Sequence, residues 1–354
     1  MNSSPLIARA FGPDEWNGNG SVAGSGGLAA NTVWDSLLDG STPRYPDVDP
    51  DVQVLTRTAS DCRLPTPDRL RAFPDITGSE IGDMSLTRVR NIEREMNLRN
   101  LYSKFEGGNS TGAQKDRVAV AQVQDELRWG YKGFATATCG NYSEAMALSR
   151  RLAGRRCLII VPQGHDTNRV EEIFGYGAEI RFLGSDYEAA CDFFRSAARG
   201  DGCDANPGGV TTALQLGAYA QIAYEIYNDL RDTPAVVAIP VSNGTVLTGL
   251  YLGFLSLSRR CKVFRRLKMV AGSAYRKNPI VNSRIKGLPE CRDLHPTGVW
   301  ENAVNDALIN RHSTDGFRFL PAPASGLLAL IERYQIEPFL GDRDVAVITG
   351  KQSL

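Results

Sequence analysis

The strands of this chain read as almost continuous apolar runs rather than alternating ones. Cys157–Pro162 (CLIIVP), Ala235–Pro240 (AVVAIP) and Asp344–Ile348 (DVAVI) have scarcely a polar position. Such runs suit strands covered on both faces, as in parallel sheets flanked by helices. Gly133–Ala137 is a further short strand; it runs into a polar turn, Thr138–Ser143, and then a helix at Ser143–Leu152. A helix at Thr167–Tyr176, a strand at Ala178–Phe182 and a helix at Asp186–Arg199 complete a β-α-β-α-β-α unit and a small parallel sheet. After the turn-rich junction Asp204–Gly209, the theme returns. A helix at Leu214–Leu230, with Tyr219 among its apolar positions, precedes Ala235–Pro240, the turn from Val241 and a helix at Tyr251–Leu257. A strand at Leu267–Ala271 and a helix at Ser325–Tyr334 lead to the last strand. The expected fold class is α/β, with two open twisted sheets and flanking helices.

One stretch stands apart from this regularity. Asn100–Phe105 reads as a strand and Val118–Leu127 as a helix, and between them lies FEGGNSTGAQKDR, Phe105–Arg117. Its glycines allow a sharp turn and a close approach. Lys115 falls at or near the first helical turn, where the helix dipole disfavours a cation; a neutral imine nitrogen would suit that position better than an ammonium. The stretch does not fit a Walker A loop, which ends in Gly-Lys-Ser/Thr. Upstream, Ser85–Val89 reads as a strand and Ile92–Met96 as a short helix. Residues 1–75 read as an arm, with a short helix at Asn31–Leu38, a short strand at Val52–Leu55 and proline-rich segments unsuited to long elements.

A chain of 354 residues with 42% hydrophobic content has material for about two domains. Its 40 basic and 40 acidic residues cancel, which gives no electrostatic case for nucleic acid or an anionic membrane. The seven cysteines are scattered without a CxxC, which speaks against a zinc site and fits reduced thiols in a cytoplasmic enzyme. The sequence shows no signal peptide or membrane-spanning run.

Ligands in α/β sheets sit beyond the carboxyl ends of strands, and Lys115, Asn141, Ser242–Thr245 and Thr349 all fall at such ends. The chain has no HExxH and no evident carboxylate pair. An imine-forming lysine with anion-binding turns fits the inventory better, and pyridoxal phosphate is the cofactor that uses both.

Five landmarks carry a resemblance. Glu106–Arg117 (EGGNSTGAQKDR) resembles the lysine motif of pyridoxal-phosphate enzymes of the tryptophan-synthase-β type, fold type II, and most nearly that of threonine synthases. Thr138–Ser143, the run from Pro240 to Phe254, Pro321–Ser325 and Val345–Gly350 resemble that family's later motifs, in its order. The resemblance implies an N-terminal arm at 1–75, a large cofactor-binding domain at 76–112 plus 205–354, and a small mobile domain at 113–204, with the site in the cleft between the two sheets. It implies that Lys115 binds the cofactor and moves protons. Asn141 would meet the ring hydroxyl, and Ser242, Asn243, Gly244 and Thr245 the phosphate. Thr349 would face the pyridine nitrogen, and Thr138, Gly140 and Ser143 the carboxylate of the amino-acid substrate. No metal is implied. A homodimer is. The implied reaction is threonine synthase-like elimination or replacement on an activated amino acid, a phosphorylated one among the candidates. Cysteine synthase-like β-replacement, a serine/threonine dehydratase and a non-catalytic binding protein are the alternatives. The chain departs from threonine synthases at Ala113-Gln114, where they usually have Ser-Phe.

Overall fold

The computed structural model describes residues 50–131, 133–137, 140–162, 169–182, 202–206, 209–260, 262, 267–274, 294–299, 321–336 and 343–351. In chain order the elements begin with helices α1 (Pro50–Ser60) and α2 (Thr66–Glu80), strand β1 (Leu86–Arg88), helix α3 (Arg90–Met96) and strand β2 (Leu101–Phe105). A 3-10 turn at Glu106–Gly108 leads to α4 (Lys115–Trp129), β3 (Gly133–Ala137), α5 (Asn141–Leu152), β4 (Arg156–Val161), α6 (Val170–Gly175), β5 (Glu179–Phe182) and β6 (Gly202–Asp204). Then come α7 (Thr212–Leu230), β7 (Val236–Pro240), α8 (Thr245–Arg259), β8 (Lys268–Ala274), β9 (Leu294–Val299), α9 (Pro321–Ile336) and β10 (Asp344–Ile348). The chain divides into two compact units, Met1–Glu80 with Ala119–Thr211 and Ile81–Val118 with Thr212–Leu354.

The first unit holds a four-stranded parallel sheet in the order β5-β4-β3-β6. Strand β4 is buried from Cys157 to Val161, as its apolar run requires. Two helices replace what the sequence suggested for this region. Val52–Leu55 is part of α1 and not a strand: Pro50 opens that helix, where a missing N–H costs nothing, and Thr56 and Ala59 are buried one turn apart. The proline-rich segment forms the 15-residue α2. Pro67 sits in its first turn, and the buried positions Arg69, Ala72, Phe73, Ile76 and Thr77 follow a helical stripe. That stripe outweighs the interior Pro74. The expected helices at Asn31–Leu38 and Asp186–Arg199 lie outside the described residues.

The second unit holds a six-stranded sheet in the order β1-β2-β10-β7-β8-β9. Strand β1 is antiparallel to β2, and every other pairing is parallel. Neither β6 nor β9 was legible in the sequence: β6 is only GCD, and β9, LHPTGV, carries a proline and a glycine. Strand β10 pairs Ile348 with Phe105 of β2 and Ala346 with Ala238 of β7. The carboxyl ends of β2, β10 and β7 therefore lie side by side. The core beneath one face joins Val89, Ile92 and Leu101 to Val236, Ala238, Val270, Leu327, Leu330, Ala346 and Ile348.

Two helix contacts are made backbone to backbone. A Cβ at Gly272 of β8 would lie 2.1 Å from the Ser325 carbonyl oxygen, and one at Gly326 would lie 2.6 Å from the Ile239 carbonyl carbon. Helix α9 thus rests directly on β7 and β8. On α8, a Cβ at Gly249 would fall 2.5 Å from Tyr219 Cβ, and one at Gly253 would fall 2.7 Å from the Ala220 carbonyl oxygen. Helices α7 and α8 consequently close to glycine distance. No described helix is long and apolar enough to cross a membrane.

The α9 contact gives a test with a definite sign. Helix propensity alone favours Gly326→Ala by ~1 kcal/mol. The clash with the Ile239 backbone acts the other way, and overpacking of this kind costs ~1–3 kcal/mol or more. Urea unfolding of Gly326→Ala is expected to show a net loss of stability; a gain would mean that α9 does not lie on β7.

Candidate active site

In the second unit, Lys115 is the first residue of α4. The loop that presents it is fastened to the residues after β10. The Gln114 N–H donates to the Thr349 carbonyl at 3.0 Å, and the Lys351 N–H donates to the Gly112 carbonyl at 2.8 Å. Ala113 and Gly350 pair between them as an isolated antiparallel bridge. Gly112 has φ +82°, and the Lys351 side chain lies across the place its Cβ would take. Thr349 is buried, and its N–H donates to the Pro323 carbonyl of α9 at 3.4 Å. Lys115 and Thr349 are therefore neighbours at the carboxyl edge of the sheet.

The loop is also braced from below by charge. Arg117 Nε donates to Glu106 Oε2 at 2.6 Å and its Nη2 to Glu106 Oε1 at 2.9 Å. The same guanidinium reaches Glu225 of α7 at 2.5 and 2.8 Å. Lys104 of β2, fully buried, pairs with Glu225 at 2.8 Å and donates to the Met84 carbonyl. Glu225 further accepts the N–H groups of Asp83 (3.0 Å) and Met84 (3.3 Å). Two cations and two carboxylates balance. Burial would raise Glu225, but the hydrogen bonds and charge of Arg117, with Lys104, hold its carboxyl down to about 2. Burial likewise opposes the charge on Arg117, and Glu106 and Glu225 more than restore it, so its pKa is raised. Asp116, beside Lys115, is pushed up to about 7 by burial, against hydrogen bonds from Thr111 and the Ala113 backbone. Thr111 donates to it through both N–H (3.0 Å) and hydroxyl (2.9 Å).

The turn after β7 forms the N-terminus of α8. Gly244 has φ +81° and supplies no side-chain cap, and the first turn carries no acidic residue. Asn243 Oδ1 accepts the Thr245 N–H at 3.2 Å and the Thr245 hydroxyl at 2.9 Å, which folds the turn. Ser242 is exposed, Asn243 half-buried, and Gly244 and Thr245 are buried. With the Thr245 N–H taken by Asn243 and no cap from Gly244, the end of this 15-residue helix still suits an anion such as a phosphate. Helix α8 starts at Thr245, six residues before the sequence suggested.

Helix α7 ties these parts together. It contributes Glu225 to Arg117, and it places the Tyr219 ring centroid 5.7 Å from Lys115 Nζ. Tyr219 is fully buried, and its hydroxyl has no hydrogen-bond partner among the described residues. In the sequence Tyr219 was only one more apolar position on a helix. Glu106, Arg117, Lys104 and Glu225 were also missed as a network; charged residues flanking the lysine inside an otherwise buried pattern were the available signal.

The first unit carries the remaining positions. Gly140, at φ +99°, precedes α5 without a side-chain cap. Asn141 opens α5 and is half-buried; Ser143 is buried in the first turn, its Oγ without a partner among the described residues. Thr138 lies outside the described residues. Tyr142 turns its hydroxyl to the Ala205 carbonyl at 2.8 Å. No cluster of described His, Cys, Asp or Glu could hold a metal.

The charge network makes a pH prediction. The Glu225 carboxyl is lowered from 4.5 to about 2, so its contribution is complete above about 4.5 and is lost as pH falls towards 2. Glu225→Gln leaves Arg117 and Lys104 under-compensated, with an expected loss of ~3–5 kcal/mol near neutral pH. Denaturant unfolding at pH values from 6 down to about 2.5 checks both points: the variant starts lower and loses less on acidification.

A family model described as pyridoxal-phosphate dependent enzyme matches residues 78–334. The threonine synthase of Bacillus sp. (strain ULM1) is 28% identical over 222 residues, 61% of this chain and 60% of that protein, so the chain spans well under two thirds of the relative's length. Among solved structures, the cysteine synthase of Entamoeba histolytica aligns with a TM-score of 0.64 at 16% identity, covering 77% of this chain and 86% of that one. A fungal L-serine ammonia-lyase from Rhizomucor miehei gives 0.61 at 19%, covering 77% and 94%. These structures share the two-sheet α/β architecture expected of the tryptophan-synthase-β type. With a lysine at the sheet edge and an uncapped helix end suited to a phosphate, the chain belongs to the pyridoxal-phosphate-dependent enzymes of fold type II.

Proposed function

We propose that this chain catalyses elimination or replacement at the β-carbon of an amino acid, in the manner of a cysteine synthase or a serine/threonine dehydratase. The observation that carries the reading is the placement of Lys115: it opens α4, and its loop is hydrogen-bonded to Thr349 through Gln114. The similarity in fold to a cysteine synthase and a serine ammonia-lyase supports it. When bound, pyridoxal phosphate supplies an electron sink for the pair left at Cα as its proton departs.

The residues divide the remaining work. Lys115 would anchor the cofactor through its amine and would be the base for the Cα proton. The N–H groups at the start of α8, with Ser242, Asn243, Gly244 and Thr245, hold the phosphate. Asn141 orients the ring hydroxyl. Thr138, Gly140 and Ser143 bind the substrate carboxylate. The Thr349 hydroxyl meets the pyridine nitrogen without the charge of a carboxylate. This keeps the electron sink mild and favours loss of a side-chain group. The proposal includes the large domain at 76–112 plus 205–354, the small mobile domain at 113–204, a homodimer and a cytoplasmic location.

A second reading, threonine synthase-like chemistry on a phosphorylated substrate, is favoured by the Glu106–Arg117 motif and the Bacillus relative. Ala113 and Gln114, both buried beside the lysine, replace that motif's usual Ser-Phe and weigh against it.

Purified protein with pyridoxal phosphate should absorb near ~410–420 nm and be trapped by borohydride at Lys115. Lys115→Ala should lose the band and at least ~100-fold in turnover. An unchanged band in the variant would overturn the assignment. With a panel of amino acids, ammonia and a keto acid, or sulfide incorporation, support the first reading; release of inorganic phosphate from a phosphorylated amino acid supports the second.

A further inference from the structure

Tyr219 is the described residue whose chemistry and position are most at odds with a purely structural role. Its ring is fully buried on α7, in the second unit with Lys115 and α8. A core phenylalanine would fill that volume without cost. Here instead a phenolic hydroxyl is buried with no partner among the described residues, and an unsatisfied buried hydroxyl is expensive. Two further facts fix where that cost is incurred. Lys115 Nζ lies over the ring, 5.7 Å from its centroid. Gly249, one turn into α8 from Thr245, lets that helix close against Tyr219 Cβ; any larger residue would meet it at 2.5 Å. Tyr219 therefore stands between the lysine and the helix whose N-terminus suits a phosphate.

We propose that Tyr219 is a positioning residue for Lys115 and a donor to the bound cofactor. The ring face holds the lysine nitrogen at the sheet edge, using the attraction of an ammonium for an aromatic face. The hydroxyl, orphaned in the protein alone, donates to an oxygen of bound pyridoxal phosphate. The inference rests on the functional reading above and extends it to a residue outside the lysine motif and outside the phosphate turn. It also explains the apparent misfit: the buried hydroxyl is a cost to the apoprotein that binding removes.

The test separates a functional tyrosine from a structural one. Tyr219→Phe keeps the ring and loses the hydroxyl; Tyr219→Leu loses both. Wild type and variants are stripped of cofactor, melted, and titrated with pyridoxal phosphate, following the band near ~410–420 nm and the borohydride-trapped fraction. For Tyr219→Phe the apoprotein Tm should be equal to or above wild type, because an unsatisfied group has gone. Its pyridoxal phosphate Kd should rise about tenfold, with the trapped fraction at saturation unchanged. For Tyr219→Leu the trapped fraction at saturation should also fall, since the lysine has lost its support.

A Tyr219→Phe variant that binds within about twofold of wild type overturns the proposal. So does one whose apoprotein Tm drops below wild type, because the hydroxyl would then be serving the fold. A Tyr219→Leu variant trapped as fully as wild type overturns the part played by the ring. If Tyr219→Leu does not fold, the Tyr219→Phe comparison decides alone. If wild type itself forms no band, the cofactor reading fails first; wild type with a band and variants without a defect sinks only the role of Tyr219.

Discussion

A lysine can be held at the end of a buried loop only if the loop does not sag, and here a guanidinium prevents it. Arg117 joins Glu106, at the end of β2, to Glu225, on α7, and Lys104 completes the charge balance. Every member is largely desolvated, so the attraction is strong and the loss of one partner leaves an exposed imbalance in low dielectric. The geometry follows from this. Arg117 and Lys115 lie two residues apart on the first turn of α4, and both meet α7, one through Glu225 and the other through the ring of Tyr219. Fixing the guanidinium fixes the register of the turn that carries the lysine. The network is structural, but the position of the Lys115 nitrogen depends on it.

A second constraint is distance. Gly272 and Gly326 bring α9 onto the sheet, and Gly249 and Gly253 bring α8 onto α7. In both cases the absence of a Cβ lets backbone meet backbone or side-chain stem, and in both cases the contact serves the carboxyl edge. Helix α9 delivers the Pro323 carbonyl to the Thr349 N–H, and α8 delivers its open N-terminus. The site is thus assembled from short-range approaches that glycine permits, with few side chains interposed.

The apolar runs made the parallel strands legible, because strands covered on both faces can contain little else. The turns at Lys115, Asn141, Ser242–Thr245 and Thr349 were legible because polar and glycine residues interrupt those runs at strand ends. What escaped did so for identifiable reasons. Strand β9, LHPTGV, contains a proline and a glycine and depends on its neighbour β8 for its conformation. Helix α2 hid behind its prolines, since the helical stripe from Arg69 to Thr77 becomes decisive only once there is something to bury it against. Tyr219 was legible as a core residue but not as anything more: an unpartnered hydroxyl is a property of three-dimensional surroundings, and no periodicity encodes it. The ion network is similar, because its members lie on β2, the lysine loop, α4 and α7.

The place of β10 has a consequence for how the protein comes into being. It lies between β2 and β7, yet it is the last of the described strands in the chain. During synthesis β2 and β7 must each present an unpaired edge until residues 344–348 emerge, and such edges invite wrong partners. The lysine loop waits too, because the Gly112 carbonyl accepts from the Lys351 N–H and the Gln114 N–H donates to the Thr349 carbonyl. A growing chain therefore cannot settle the loop that carries Lys115 before residues 344–351 have emerged and its sheet is closed.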